Sequence, residues 1–268
     1  MLISVIGGDK RFLYAAKRLS DLGHTVLFAA TEKPNSTIEQ ALKSQAIVLP
    51  MPVSRDRITL NAPLFDKSIS LCDILSQLDG KQILLGGITN IDYPNYYDYY
   101  NNEGFLCKNS AVTAEGAIQT AFNNTDYSLT GSRVLVVGYG KLGKALCKRL
   151  LSFECMLTAS ARKHSDFEQI CRLGINCVNT LELEEIINDF DIVFNTVPYP
   201  VLDKQVLRNA KRDTLFIELA SAPYGIDLEY AKEQNLCVKL EASLPSRCAP
   251  KSAGEFIADT VNDILHAI

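Results

Sequence analysis

The sequence has 268 residues, 47% hydrophobic and 22% charged, with a formal net charge of −4. That length holds two modest domains with real cores, and the charge gives no electrostatic reason to expect nucleic acid or an anionic membrane as partner. No apolar run reaches the roughly 18 residues of a membrane span. The eight cysteines form no Cys-x-x-Cys pair and share no ligand spacing with His24, His164 and His266, so no metal is expected, only reduced, mostly buried thiols in a cytoplasmic protein.

Residues 2–6 predict a short apolar strand, which meets Asp9-Lys10-Arg11 too soon to be a signal peptide. Gly7-Gly8-Asp9 predicts a turn, 12–22 a helix ended by Gly23, and 25–29 a second strand, so the first part of the chain is α/β. A third strand at 47–49 is stopped by Pro50 and Pro52, and 54–67 reads as a loop. Residues 71–78 predict a helix, and 83–85 a strand closed by Gly86-Gly87. Residues 93–100 hold five of the eleven tyrosines. They form either an aromatic substrate wall or, more simply, a surface helix whose rings cover the sheet. Ala114, Ala117, Ile118, Ala121 and Phe122 fall on one face of a helix that crosses from one α/β domain to the next.

Val134-Leu135-Val136-Val137 then predicts a strand apolar on both faces, and Leu142, Ala145, Leu146 and Leu150 a helix. Between them lies Gly138-Tyr139-Gly140-Lys141-Leu142-Gly143, a Gly-x-Gly-x-x-Gly turn in the setting that makes it informative. The first glycine makes the tight turn, the second lets a pyrophosphate approach the backbone, and the third lets helix and strand pack closely. The amides at the helix start then face the phosphates. Strands at 155–159, 175–178, 191–197, 215–219 and 238–240, with helical patterns between most of them, predict a parallel sheet with right-handed crossovers. The fold class is therefore α/β: two α/β domains, the C-terminal one a Rossmann-type doubly wound parallel sheet. Expected boundaries are 1–112 for a substrate domain and 113–251 for the dinucleotide domain. A final helix, 252–268, opened by a Ser252-Ala253-Gly254-Glu255 capping box, is expected to dock back on the first domain.

Cofactor choice is made at the end of the second strand of this domain. A protein that prefers NAD places Asp or Glu there, about 20 residues past the glycines. Here stand Ser160-Ala161-Arg162-Lys163. A hydroxyl, a guanidinium and an ammonium suit a 2′-phosphate, so NADP(H) is expected, with Arg162 as the main clamp and Ser160 and Lys163 in support. The competing reading is a solvated turn, since Ser165 and Glu168 form a second capping-box pattern. Strand C-termini face the cofactor crevice in such sheets. Thr196, Val197 and Pro198 should therefore border the nicotinamide ribose, and Ala220 and Ser221 the ring.

These motifs together resemble the dipicolinate synthase A-subunit family. The resemblance spans nearly the whole chain. It is carried by Gly7-Gly8-Asp9-Lys10-Arg11, by 109–116 (Asn109-Ser110-Ala111-Val112-Thr113-Ala114-Glu115-Gly116), by Thr125-Asp126 and Gly131-Ser132, and by the glycine turn. Asn195-Thr196-Val197-Pro198, Leu219-Ala220-Ser221, Leu244-Pro245 and Ala249-Pro250-Lys251-Ser252-Ala253-Gly254 complete it. Ser246-Arg247 depart from it, standing where the family has glycine. The resemblance implies NADP-dependent oxidation of a dihydrodipicolinate-type precursor, from the lysine/diaminopimelate pathway, to dipicolinate (pyridine-2,6-dicarboxylate). It also implies sporulation, the mother-cell cytoplasm and a flavoprotein-like B-subunit as partner; a homo-oligomer is expected.

Oxidising a dihydropyridine creates an aromatic ring, so a strong general base is less necessary than a site that orients two carboxylates. Arg11 and Lys251 are the candidate carboxylate binders, Asn109 and Thr113 candidate neutral donors, and Glu115 a candidate acceptor for the ring proton. Lys251, in the family motif, is the leading catalytic candidate. The plainer readings are a surface salt bridge for Arg11 and a first-turn carboxylate favoured by the helix dipole for Glu115. Two other function classes stay open: a different NADP-dependent enzyme of small-acid or shikimate type, and a non-catalytic NADP-binding protein.

Overall fold

The computed structural model describes residues 1–268 and divides into two compact units, 1–109 with 245–268, and 110–244. The first unit runs β1 (Leu2–Ile6), α1 (Lys10–Asp21), β2 (Thr25–Ala29), α2 (Ile38–Ala41), β3 (Ala46–Val48), α3 (Leu71–Ser76), β4 (Ile83–Gly86) and β5 (Tyr96–Asp98). All its strands are parallel, in the order β2-β1-β3-β4-β5. Alternation along β1 sends Ile3 and Val5 to one apolar layer and Ile6 to the other.

The helix α4 (Glu103–Asn123) starts in this unit and ends in the next, beginning well before the apolar face that announces it. The last helix, α11 (Pro250–Ala267), packs on α1: Ile257, Ala258 and Val261 share a buried cluster with Phe12, Ala15 and Leu19. Gly254 lies so close that a Cβ there would sit 2.2 Å from the Arg11 carbonyl. Arg18 donates to Asp259 at 2.8 Å beside this contact.

Two expectations for this unit fail. The tyrosine run is an edge strand followed by a 3-10 turn, Tyr99–Asn101, and not a surface helix. Tyrosine suits a pleated, half-buried surface, and here the run gains β4 as a parallel neighbour. Tyr99 is fully buried, and its hydroxyl donates to the Leu49 carbonyl at 2.9 Å. The Ser252–Glu255 capping box does not form, because α11 begins earlier with Pro250 at its first position and Ala249 as cap. A proline there has no N–H to satisfy, and Ser252 already lies inside the helix.

The loop over 54–67 has an organising residue. Asp56 Oδ1 accepts from Ser54 Oγ at 2.9 Å, Ile58 N at 2.9 Å and Thr59 N at 2.8 Å, and its Oδ2 from Thr59 Oγ1 at 2.7 Å. These bonds hold its carboxyl well below the usual range, the Thr59 amide contributing most.

The second unit runs β6 (Arg133–Val137), α5 (Lys141–Leu150), β7 (Met156–Ala161), α6 (His164–Arg172), β8 (Asn176–Asn179), α7 (Leu183–Ile186), β9 (Ile192–Asn195), α8 (Lys204–Leu207), β10 (Leu215–Glu218), α9 (Leu228–Glu233) and β11 (Cys237–Leu240), and α10 (Leu244–Cys248) straddles its end. Its sheet is parallel, ordered β11-β10-β9-β6-β7-β8. Counted within the unit this is 6-5-4-1-2-3, the doubly wound order whose strand sequence reverses between the first and fourth strands. Buried layers lie on both faces, Val134 and Val136 on one, Leu135 and Val137 on the other. The second predicted capping box also fails: α6 opens at His164 with Lys163 as its cap residue, so Ser165 lies inside the helix. No helix of the chain is long and apolar enough to cross a membrane.

Candidate functional site

The reversal point of the second sheet falls between β6 and β9, and the glycine turn leaves β6 there. Each glycine has its own steric reason. Gly138 has φ +94°, and a Cβ on it would meet Val197 Cγ2 at 2.6 Å and Thr196 Oγ1 at 2.7 Å. A Cβ on Gly143 would sit 2.1 Å from the Gly138 carbonyl, so α5 packs directly on the turn. A Cβ on Gly140, by contrast, would meet nothing within 4 Å. Gly140 is the N-cap of α5 and supplies no side-chain cap. Open space before an uncapped helix start is the cradle a pyrophosphate requires.

A cavity of about 310 Å³ adjoins this turn. Gly138, Tyr139 and Gly140 form its floor, and Thr196, Val197 and Pro198 one wall. Leu142 lies behind, packed against the core. Lys144 sits 5.2 Å from the centre of the Tyr139 ring. Arg162 and Lys163 line the cavity rim, both exposed and without an ion-pair partner. Asp166, on the first turn of α6, joins them, with Lys144 3.7 Å away as its counter-charge. Sequence reasoning missed Asp166, because it lies beyond the strand end where an acidic residue was sought.

Ser160 does not belong to this rim. β7 runs two residues further than its apolar pattern suggests, so Ser160 is an interior strand residue with no exposed surface. Its Oγ accepts from the Gly138 amide at 3.3 Å and lies 3.2 Å from Thr180 Oγ1, bracing the glycine turn from below.

A second omission lies at the ends of two neighbouring strands. β9 and β10 end in register on two buried polar residues, Asn195 and Glu218. Asn195 Nδ2 donates to Glu218 Oε1 at 2.7 Å. The Ala220 amide donates to the same oxygen at 2.9 Å, and the Gly225 and Ile226 amides to Oε2, each at 2.9 Å. Burial pushes the Glu218 carboxyl above its usual range, against the pull of these bonds. The loop that holds Ala220 and Ser221 is thus tied back to its own strand. The available signal was a polar residue closing each of two otherwise apolar strands.

The remaining candidates fare differently. Arg11 is buried: its guanidinium donates to Asp9 at 2.9 Å and to the Met51 carbonyl at 2.8 Å. It is a buried ion pair and not a surface salt bridge. The Gly8 amide donates to the Asn61 carbonyl at 2.9 Å, so the Gly7-Gly8 turn is filled by its own chain, unlike the turn at Gly140. Glu115 lies in the interior of α4, not in its first turn, and pairs with Arg149 at 2.8 Å. Asn109 and Thr113 are half-buried one turn apart on α4. Lys251 is exposed on the first turn of α11, 4.0 Å from Glu255. All eight cysteines are free, but only Cys147 is fully buried and four are exposed, so mostly buried thiols are not what the fold provides.

Comparison with known proteins agrees with this architecture. Residues 2–104 match the N-terminal domain of the dipicolinate synthase A-subunit, and 106–224 match the NAD-binding domain of D-isomer-specific 2-hydroxyacid dehydrogenases. The dipicolinate synthase A-subunit of Bacillus subtilis (strain 168) is 27% identical over 99% of this chain and 96% of its own length. The crystal structure of the Bacillus subtilis dipicolinate synthase A chain superposes with a TM-score of 0.89 at 26% identity, covering 100% of this chain and 96% of that one. The A-subunit of Bacillus halodurans superposes at 0.91 and 24%, covering 98% and 97%, and shares the fold. The chain is therefore an oxidoreductase with a nicotinamide-dinucleotide-binding dehydrogenase domain, and along its whole length it resembles the dipicolinate synthase A-subunit.

Proposed function

We propose that this protein oxidises a dihydrodipicolinate-type precursor to dipicolinate with NADP+. One observation carries the reading: the glycine-turn cavity, rimmed by the unpaired Arg162 and Lys163, occurs in a chain that resembles the dipicolinate synthase A-subunit from end to end. The turn from Gly138 to Gly143 holds the pyrophosphate, and Arg162 and Lys163 grip the 2′-phosphate with charge-assisted hydrogen bonds. When bound, NADP+ would supply the hydride acceptor, so that dihydropyridine and NADP+ would become pyridine, NADPH and H+, the proton leaving to solvent. Thr196, Val197, Pro198, Ala220 and Ser221 line the nicotinamide end. Lys251, Asn109 and Thr113 are the donors we assign to the two substrate carboxylates. Aromatisation supplies driving force, so these groups chiefly orient the ring. By the same resemblance we assign the activity to the mother-cell cytoplasm in sporulation, to a homo-oligomer, and to a pairing with a flavoprotein-like B-subunit.

Purified protein incubated with NADP+ and the product of dihydrodipicolinate synthase should generate dipicolinate and NADPH absorbance together. Turnover of a hydroxy acid, with none of this precursor, would overturn the proposal in favour of another small-acid dehydrogenase. Cofactor choice has its own test. Arg162→Asp removes a charged hydrogen bond of about 1.5–3 kcal/mol, so NADPH should bind roughly 10- to 100-fold more weakly while NADH binding holds. Asp166 favours one competing reading, in which its carboxylate takes the ribose hydroxyls of NAD. In that case Asp166→Asn weakens NADH, and Arg162→Asp leaves the preference unchanged.

A further inference from the structure

Glu218 has no exposed surface and no cationic partner. A buried carboxylate is costly unless its lone pairs are filled. Here four neutral donors fill them, two on each oxygen. A scaffold needing only packing would take an apolar residue at this point of the strand. The four acceptor positions of a carboxylate gather two separate loops instead.

One loop follows β10, and its Ala220, Gly225 and Ile226 amides all end on Glu218. The other follows β9 and is reached through Asn195. While Nδ2 of Asn195 donates to Glu218, it also donates to the Val197 carbonyl at 3.0 Å, and Oδ1 accepts from the Val197 amide at 3.1 Å. Both backbone groups of Val197 are therefore clamped by one side chain. Val197 in turn packs over Gly138 and lines the cavity beside the glycine turn. The arrangement is tight: a Cβ on Gly225 would lie 2.3 Å from Asn195 Nδ2 and 2.6 Å from the Val197 carbonyl. Tyr224, just before it, is in the left-handed region at φ +63°.

We propose that Glu218 is a positioning residue that, acting through Asn195, fixes the Val197–Pro198 and Ala220–Ser221 backbones as the wall against which the nicotinamide end of the dinucleotide is aimed. This rests on the dinucleotide reading above and deepens it, because it divides the site in two. The adenine half is held by the glycine turn and Arg162, and the nicotinamide half by the carboxylate hub. In Glu218→Gln one acceptor oxygen becomes an NH2 group. Whichever oxygen is replaced, two buried donors lose their acceptor, and the loops must shift.

The test compares whole cofactor with its adenine half on the full-length protein. Calorimetry with NADPH and NADH, and with 2′,5′-ADP and ADP as half-site probes, is run on wild type, Glu218→Gln, Glu218→Asp and Asn195→Ala. Emission of the bound reduced nicotinamide is recorded alongside. Glu218→Gln should weaken the whole cofactor about tenfold or more and return its emission towards that of free cofactor, with the half-site probe changed less than twofold. Glu218→Asp, which keeps the carboxylate, should recover part of the loss. Asn195→Ala, which leaves Glu218 its three backbone donors, should show the same selective loss and serves if Glu218→Gln does not fold. Parallel loss of whole cofactor and half-site probe, or unchanged cofactor binding in both variants, overturns the proposal. A wild type that prefers NADH and ADP removes the Arg162 clamp but not the hub, which is then read on that pair. A wild type that binds neither cofactor overturns both.

Discussion

Asp56 and Cys147 show how neighbours change a group whose type alone is uninformative. Burial pushes the Cys147 thiol up to about 12, so it stays protonated at any physiological pH. The Asp56 carboxyl moves the other way, lowered by two amides and two hydroxyls. A carboxyl whose folded pKa is depressed stabilises the fold above its unfolded value of about 3.9 and loses that contribution as pH falls below it. Hydrogen exchange at the Ile58 and Thr59 amides, corrected for intrinsic rates, should therefore accelerate as pH drops from 5 towards about 2. Asp56→Asn should show the faster exchange at pH 7 as well; unchanged protection in that variant would refute the role. At this scale the sequence was a weak guide. It offered a surface salt bridge as the plainer reading of Arg11, yet the side chain is buried between Asp9 and the Met51 carbonyl, and a partner forty residues away leaves no periodic trace.

Among elements, the glycine turn makes the sharpest contrast. Gly140→Ala adds a methyl where nothing lies within 4 Å and where φ is −75°, so the fold should be unaffected. On the proposed reading that methyl enters the pyrophosphate cradle, and both NADPH and ADP should bind at least about tenfold more weakly, a loss of about 1.4 kcal/mol. Gly143→Ala forces a Cβ against the Gly138 carbonyl. Overpacking of this kind costs about 1–3 kcal/mol, so here stability and binding should fall together. Calorimetry and thermal melting of the two variants check the pair, and a destabilised Gly140→Ala would refute the open cradle. The turn was legible because its chemistry is local, a strand, three glycines and a helix within seventeen residues. The element ends were not. β7 carries Ser160 into its interior, and neither predicted capping box forms. A capping pattern marks where a helix is able to begin, whereas Pro250 and the cap at Lys163 fix where these two do.

For the whole molecule, the prediction concerns linkage. Cofactor at 100 times its Kd stabilises the state that binds it by about 2.7 kcal/mol. The unit that carries the turn should then melt about 5–10 °C higher with saturating NADPH. Gly140→Ala, which weakens binding about tenfold or more, should cut the shift by about half or more; a shift that survives in full would mean the nucleotide binds elsewhere. By itself the sequence determined the α/β class, the strand–turn–helix at Gly138 and the basic strand end at Arg162. Strand alternation, helical periodicity and glycine sterics all act over a few residues. Only the tertiary structure decided which polar groups are free to meet a ligand. Asn195 finds Glu218 across 23 positions, and Arg18 finds Asp259 across 241. An apolar pattern tells a chain which face to bury, but not which distant partner will fill the lone pairs beside it.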